Sequence, residues 1–153
     1  MPLEIERKFL VVSDDYKINS NPVDISQAYL SADENMAIRV RIEGIQASIN
    51  IKSKKSERVN YEFEYVIPLD EARSLIKMSP YPIIEKTRYV VEYEGKAWEV
   101  DKFHADNKGL IVAEIELDEE DELFQRPLWL GEEVTADFRY LNSNLAKKPF
   151  SSW

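Results

Sequence analysis

The sequence predicts an α+β fold: an eight-stranded antiparallel β-barrel with a charged lumen and flanking helices, in one domain spanning 1–153. Three observations predict it. Most of the chain alternates apolar and polar residues with period two, the signature of β-strands. Only two stretches carry a clear helical spacing. Charged residues of like sign recur two positions apart inside the strands, so they share a face.

In chain order, the alternation predicts strands at about 4–12, 24–31, 36–43, 47–54, 58–67, 83–93, 96–103 and 110–117. "EG" at Glu43–Gly44 and "YEGK" at Tyr93–Lys96 read as hairpin turns, where glycine supplies a positive φ at little cost. "PLDEARSLIKM" reads as a helix with Asp70 as its N-cap and Ala72, Leu75, Ile76 and Met78 as its apolar stripe. The tail from Asp137 to Lys148 reads as a second helix, with Phe138, Leu141 and Leu145 on one face. The acidic stretch "LDEEDELFQ" reads as a third, short one. Eight strands of similar length with few helices favour a sheet closed on itself, which leaves no exposed edge.

The charges inside these strands are more informative than the strands themselves. The first strand sets Glu4, Glu6 and Lys8 on one face, and the last sets Glu114 and Glu116. Between them come Arg39 and Arg41, Lys52 and Lys54, Arg58 with Glu62 and Glu64, Lys86 and Arg88, and Glu99 and Asp101. One such pair is explained by a face in water. Seven strands of them are not, because solvated faces mix signs and like charges two apart bring no stability. Helices and the Trp-containing C-terminal segment are available to cover the apolar faces from outside. The result is a barrel that is apolar outside and charged inside. Such a lumen needs water, metal ions and a polyanion to be stable.

Composition narrows the chemistry. The formal net charge is −9, and the sequence pI is about 4.8, against broad binding to nucleic acid or anionic membrane. No cysteine is present, so thiol nucleophiles, disulfides and Cys-ligated zinc are excluded. The one histidine, His104, follows a strand end without a partner motif and reads as structural or exposed. No signal peptide or membrane span is evident, and a cytoplasmic protein is the expectation. Clustered Lys and Arg suit phosphates. Clustered carboxylates without His or Cys suit Mg²⁺ or Mn²⁺. Together they match a metal–polyphosphate complex and phosphoryl transfer.

Residues along nearly the whole chain resemble the CYTH domain, the triphosphate tunnel metalloenzyme family. The opening "EIERKFLV" is similar to its ExExK signature, and "QAYLS", "AIRVRIEG", "INIKSK", "YEFEYVIP", "EKTRYVV", "WEVDKF", "GLIVAEIEL" and "FRYLNSNLA" follow in order. The resemblance implies a tunnel with a C-terminal helix near one mouth. It implies metal binding by Glu4, Glu6, Glu114 and Glu116, with Glu62 and Glu64 assisting a second metal or holding lumen bases. Lys8, Arg39, Arg41, Lys52, Arg58, Lys86 and Arg88 match positions that grip triphosphate. Lys54 and Asp101 match less specifically. Short bacterial-type members are most similar, and in them a Tyr–Lys pair at the places of Tyr29 and Lys86 activates water. The implied activity is metal-dependent hydrolysis of inorganic triphosphate, a small-molecule polyphosphate, with a homodimer left open. Adenylate cyclase or thiamine and nucleoside triphosphatase activity is the enzymatic alternative. A polyphosphate-binding module without catalysis is the alternative of another class.

Overall fold

A computed structural model of the chain describes residues 2–153. Its nine strands are β1 (Leu3–Val11), β2 (Asn21–Ala32), β3 (Met36–Glu43), β4 (Gln46–Lys54), β5 (Val59–Ile67), β6 (Ile84–Tyr93), β7 (Lys96–Phe103), β8 (Ile111–Leu117) and β9 (Leu130–Glu133). The helices are α1 (Leu69–Lys77) and α2 (Asn142–Lys147). The strand order is β5-β4-β3-β2-β6-β7-β8-β1, every pair is antiparallel, and β5 pairs back to β1. The sheet is therefore closed, as the even run of short strands predicts.

Because residues directly opposite share a face, the register carries one face around the whole barrel. Glu4 is opposite Asn60, Glu62 opposite Lys52, Asn50 opposite Arg39 and Arg41 opposite Gln27. Arg88 is opposite Asp101, Glu99 opposite Glu114, and Lys8 and Glu6 opposite Glu114 and Glu116. That face points inward.

The outward face is covered in two places. α1 lies over β2, β3 and β4, with Ala72 fully buried among Val40, Ala47 and the flanks of Ile42 and Ile49. On the other side, Trp98, Phe9, Ile115 and Val100 lie under Tyr16, Trp129 and Phe124. Their rings meet edge to face, Phe9 to Trp98 at 5.7 Å and Trp98 to Trp129 at 5.8 Å. The third core group is inside. At one end of the barrel the inward face turns apolar, and Tyr29, Ile84, Phe103 and Val112 pack against Val134, Tyr140, Leu145 and Ala146. α2 thus stops that end rather than covering the barrel from outside.

Four expectations need correction. The N-cap of α1 is Pro68, with extended backbone and no side-chain cap, and Asp70 lies in the first turn, where it favours the helix dipole. α1 ends at Lys77, so Met78 falls off its apolar stripe and is exposed. "LDEEDELFQ" is a turn followed by extended chain: the Asp118 N–H is taken by Glu122 Oε1 at 2.7 Å, and Phe124 is drawn onto Phe9 and Trp98. The tail is not one helix. Phe138–Tyr140 form a 3₁₀ turn, Leu141 is extended, and only then does α2 begin. The break leaves the Tyr140 carbonyl free to accept from Lys8 Nζ at 3.2 Å.

The ninth strand has no apolar alternation and was invisible to the pattern. β9 runs beside the C-terminal half of β1, where β5 has already diverged. Its Gly131 is required by close approach: a Cβ there would stand 2.8 Å from Val12 and 3.1 Å from the Leu10 carbonyl oxygen. His104 is exposed on the outside, its Nε2 2.8 Å from Thr87 Oγ1.

Candidate active site

The inward side chains enclose a cavity of about 290 Å³, lined by strands from all around the barrel and by the segment from Val134 to Ser143. Of the fifteen residues to which the sequence gives a metal, substrate or catalytic role, Glu4, Glu6, Lys8, Tyr29, Arg39, Arg41, Lys52, Lys54, Glu62, Glu64, Lys86, Arg88, Glu114 and Glu116 line it, and Arg58 does not.

 Thirteen of the candidates are binding or metal positions and two are the Tyr29–Lys86 pair, so fourteen of fifteen meet in one cavity. Arg58 precedes the first residue of β5, so the strand alternation does not reach it, and its guanidinium donates to the Glu120 carbonyl at 3.1 Å.

One part of the wall is matched charge for charge. Arg88 grips Asp101 with two parallel bonds of 2.8 and 2.9 Å and reaches Glu99 at 3.0 Å. Lys86 Nζ lies 2.8 Å from Asp101 Oδ2 and donates to Asn142 Oδ1 at 2.9 Å. Lys8 Nζ lies 3.5 Å from Glu114. Burial alone would raise the proton affinity of Asp101, but Lys86 and Arg88 hold it well below the usual carboxylate range. Burial works against ionised Glu114 too, and Lys8, Arg88 and Lys86 outweigh it, leaving its pKa at about 2. Burial between Ile25 and Phe103, its two cross-strand neighbours, pushes the Lys86 ammonium down to about 7, helped by Arg88 and Arg41 and opposed by Asp101.

The rest of the wall is unmatched. Burial, then the neighbouring Glu114, pushes Glu6 up to about 8. Burial and Glu62 push Glu4 up to about 7. Glu116 is also raised, by burial and by Glu4 and Glu99. Lys52 stands among these acids, 2.9 Å from Glu4 and 3.9 Å from Glu62. It lies off the line a hydrogen bond needs, so Glu4 Oε1 is buried with an ion-pair contact and no hydrogen bond. Among the described residues, Glu6 and Glu116 have no ion pair within 4 Å. The cations opposite are equally short of partners. Arg39 is 9% exposed, its Nε is buried without a hydrogen bond, and no carboxylate pairs with it among the described residues. Among the described residues Arg41 is held only by Gln27 Oε1, at 3.0 and 3.1 Å, and burial beside Arg39 and Arg88 lowers it to about 10.

This unmatched donor set fits a hard divalent cation: carboxylate oxygens only, crowded beyond what Lys52 can neutralise. No three acidic residues among the described residues stand close enough to enclose a metal by themselves. Phosphate oxygens and water would have to complete any such coordination. Glu6 and Glu116 face each other across β1 and β8, and Glu4 and Glu62 are coupled through Lys52.

Two of these residues sit at the margins of the charged wall. Tyr29 is 4% exposed within the apolar end group, and no hydrogen bond joins its hydroxyl to Lys86; Asp101 and Asn142 hold that ammonium instead. Lys54 stacks on the Phe138 ring, 3.3 Å from its centroid, at the rim of the cavity. Sequence reasoning also passed over neutral polar residues. Asn50, 2% exposed, donates to Glu62 at 2.9 Å and Glu64 at 3.1 Å and holds both carboxylates. Gln27 and Asn142 were missed as well. The available signal for Asn50 and Gln27 was their place on the inward parity of β4 and β2, beside Lys52 and opposite Arg41. Asn142 lies in the tail and had no such marker.

Known proteins resemble this chain along nearly its whole length. A protein of Acetivibrio thermocellus named inorganic triphosphatase is 42% identical over all of this chain and 99% of its own length. One of Nitrosomonas europaea with the same name is 35% identical, covering 94% of this chain and 96% of its own. A crystal structure described as an inorganic triphosphatase superposes with a TM-score of 0.69 at 33% identity, over 93% of this chain and 96% of that one. The CYTH domain matches residues 2–148, and the chain belongs to the CYTH domain family.

Proposed function

We propose that this protein hydrolyses inorganic triphosphate to pyrophosphate and phosphate with the help of Mg²⁺ or Mn²⁺. The observation that carries the reading is the coexistence, in one cavity, of acids without enough cations and cations without any acid. A metal-bound polyphosphate supplies both missing partners at once. The cavity volume of about 290 Å³ is at the small end for ligand pockets, which suits a compact anion. The names of the two relatives support the same substrate.

In this reading Glu4, Glu6, Glu114 and Glu116 hold the metal, and Glu62 and Glu64, fixed by Asn50, extend the acidic side. When bound, the metal neutralises charge on the phosphate oxygens and orients the chain of phosphates. Arg39 and Arg41 take phosphate oxygens as forks, and Lys8, Lys52 and Arg88 take them as point charges or from their paired positions. Lys54 meets the substrate at the rim. Lys86, with its pKa near neutrality, supplies a neutral amine in a useful fraction of molecules. That amine removes a proton from water as the water oxygen bonds to the terminal phosphorus. The bridging P–O bond breaks, its electron pair leaves with pyrophosphate, and Lys86 returns its proton to solvent. Tyr29, lining the cavity, orients the water.

The test is phosphate release from triphosphate, ATP and thiamine triphosphate, each with Mg²⁺, Mn²⁺ or EDTA, beside the Glu6→Gln variant. The expected result is metal-dependent turnover of triphosphate, well above the organic substrates, that the variant loses. Cyclic AMP from ATP, or binding without turnover of any of them, would replace this reading.

A further inference from the structure

Lys86 is held by a chain of side chains that reaches from the phosphate-gripping arginines to α2. Arg41 donates through Nε and Nη2 to Gln27 Oε1. Gln27 Nε2 donates to Asn142 Oδ1 at 2.8 Å, and Lys86 Nζ donates to the same oxygen. The direction of this chain is forced. A guanidinium has no acceptor, so Gln27 must turn its oxygen to Arg41 and its nitrogen to Asn142. Asn142 must then present oxygen, and its two lone pairs receive Gln27 and Lys86. Gln27 is fully buried, so water does not offer it another arrangement.

We propose that Asn142, oriented by Gln27, is a positioning residue that fixes the amine of Lys86 for proton transfer. The inference rests on the reading of Lys86 as the base. Asp101 alone leaves the amine free to turn about its Cε–Nζ bond, because Asp101 is already shared with both arms of Arg88. A second acceptor on a different element removes that freedom. A neutral amine has two N–H bonds and one lone pair. With one N–H directed to Asp101 and the other to Asn142, the lone pair has a single remaining direction. Since Asn142 opens α2, the same bond ties the base to the segment that stops the end of the barrel.

The experiment uses Asn142→Ala and Asn142→Asp in the full-length protein. Two readouts are followed: the pH dependence of kcat and KM for triphosphate, and the ¹³Cε NMR titration of Lys86, which needs no turnover. Asn142→Ala should lower kcat about 10- to 100-fold at every pH, the scale of a misplaced reacting group, while KM stays within about threefold. Asn142→Asp retains an acceptor oxygen but adds a charge. Its Lys86 titration and the acid limb of its rate profile should move together to higher pH, with kcat recovering toward wild type on the alkaline side. A residue that only supports α2 would change the melting temperature and leave kcat of Asn142→Ala at the wild-type value. Wild-type kcat in Asn142→Ala, or an unmoved Lys86 titration in Asn142→Asp, would overturn the inference. Absence of triphosphate turnover in the wild-type protein would instead remove the reading beneath it.

Discussion

The matched wall around Arg88 and the unmatched wall around Glu6 are built from the same residue types on the same barrel, yet they hold opposite electrostatic states. Around Asp101, two cations converge within 2.8 Å and hold the carboxylate ionised. Around Glu6, burial and acidic neighbours hold the carboxylate partly protonated near neutral pH. Charge density alone therefore does not mark a site. The mismatch does, because a buried group without a counterpart is tolerated where a ligand supplies one.

The largest expected effect on stability comes from breaking the matched wall. Asp101→Asn leaves Lys86 and Arg88 buried beside a neutral amide, and denaturant unfolding should show a loss of about 3–5 kcal/mol. Next comes a contrast between arginines. Arg88→Met should destabilise, since it abandons Asp101 and Glu99, whereas Arg39→Met removes no partner among the described residues. Arg39→Met should leave the melting temperature within a few degrees and raise KM for triphosphate about tenfold or more. Equal melting points for the two variants would erase the distinction between the walls.

The pH dependence of Glu6 gives a smaller effect with a definite sign. Its pKa is raised from the ordinary 4.5 to about 8, so the folded protein binds more protons than the unfolded chain between those values. The stability Glu6 contributes is present below about 4.5 and is lost as pH rises through about 8. Glu6→Gln should therefore melt close to wild type at pH 5 and several degrees above it at pH 8.5, with saturating metal closing the gap. The smallest effect belongs to Glu133 on the outside, paired with Arg7 through 2.8 Å and 2.5 Å bonds. Its pKa is lowered to about 2, so its contribution is present above about 4.5 and fades as pH falls through about 2. Half in water, the pair is worth under about 1 kcal/mol, and Glu133→Gln should shift melting only slightly.

Much of this was legible because a β-strand has an exact two-residue repeat. Glu4, Glu6 and Lys8 had to share a face, and once the sheet closed, that face had one interior to meet. The strand alternation stops where a strand stops, and Arg58, one residue before β5, falls outside the cavity lining. The tail was harder. Its helical spacing is real, but the ammonium of Lys8 claims the Tyr140 carbonyl, and a distant ion cannot be read from local periodicity. β9 was hidden for a related reason: it is held by backbone pairing to β1 and by room for Gly131, neither of which leaves an apolar pattern. Among site residues, formal charge was visible and neutral amides were not. Asn50, Gln27 and Asn142 set the directions in which the charges point, and direction is a property of the assembled barrel.

The most direct measurement is anomalous diffraction from crystals grown with Mn²⁺ and tripolyphosphate, using Glu6→Gln as the control. The account predicts a manganese peak against Glu6 and Glu116 in the wild-type protein, with phosphate oxygens reaching Arg39 and Arg41, and loss of that peak in the variant. Manganese at Asp101 and Glu99, or a wild-type peak unchanged in Glu6→Gln, would contradict it.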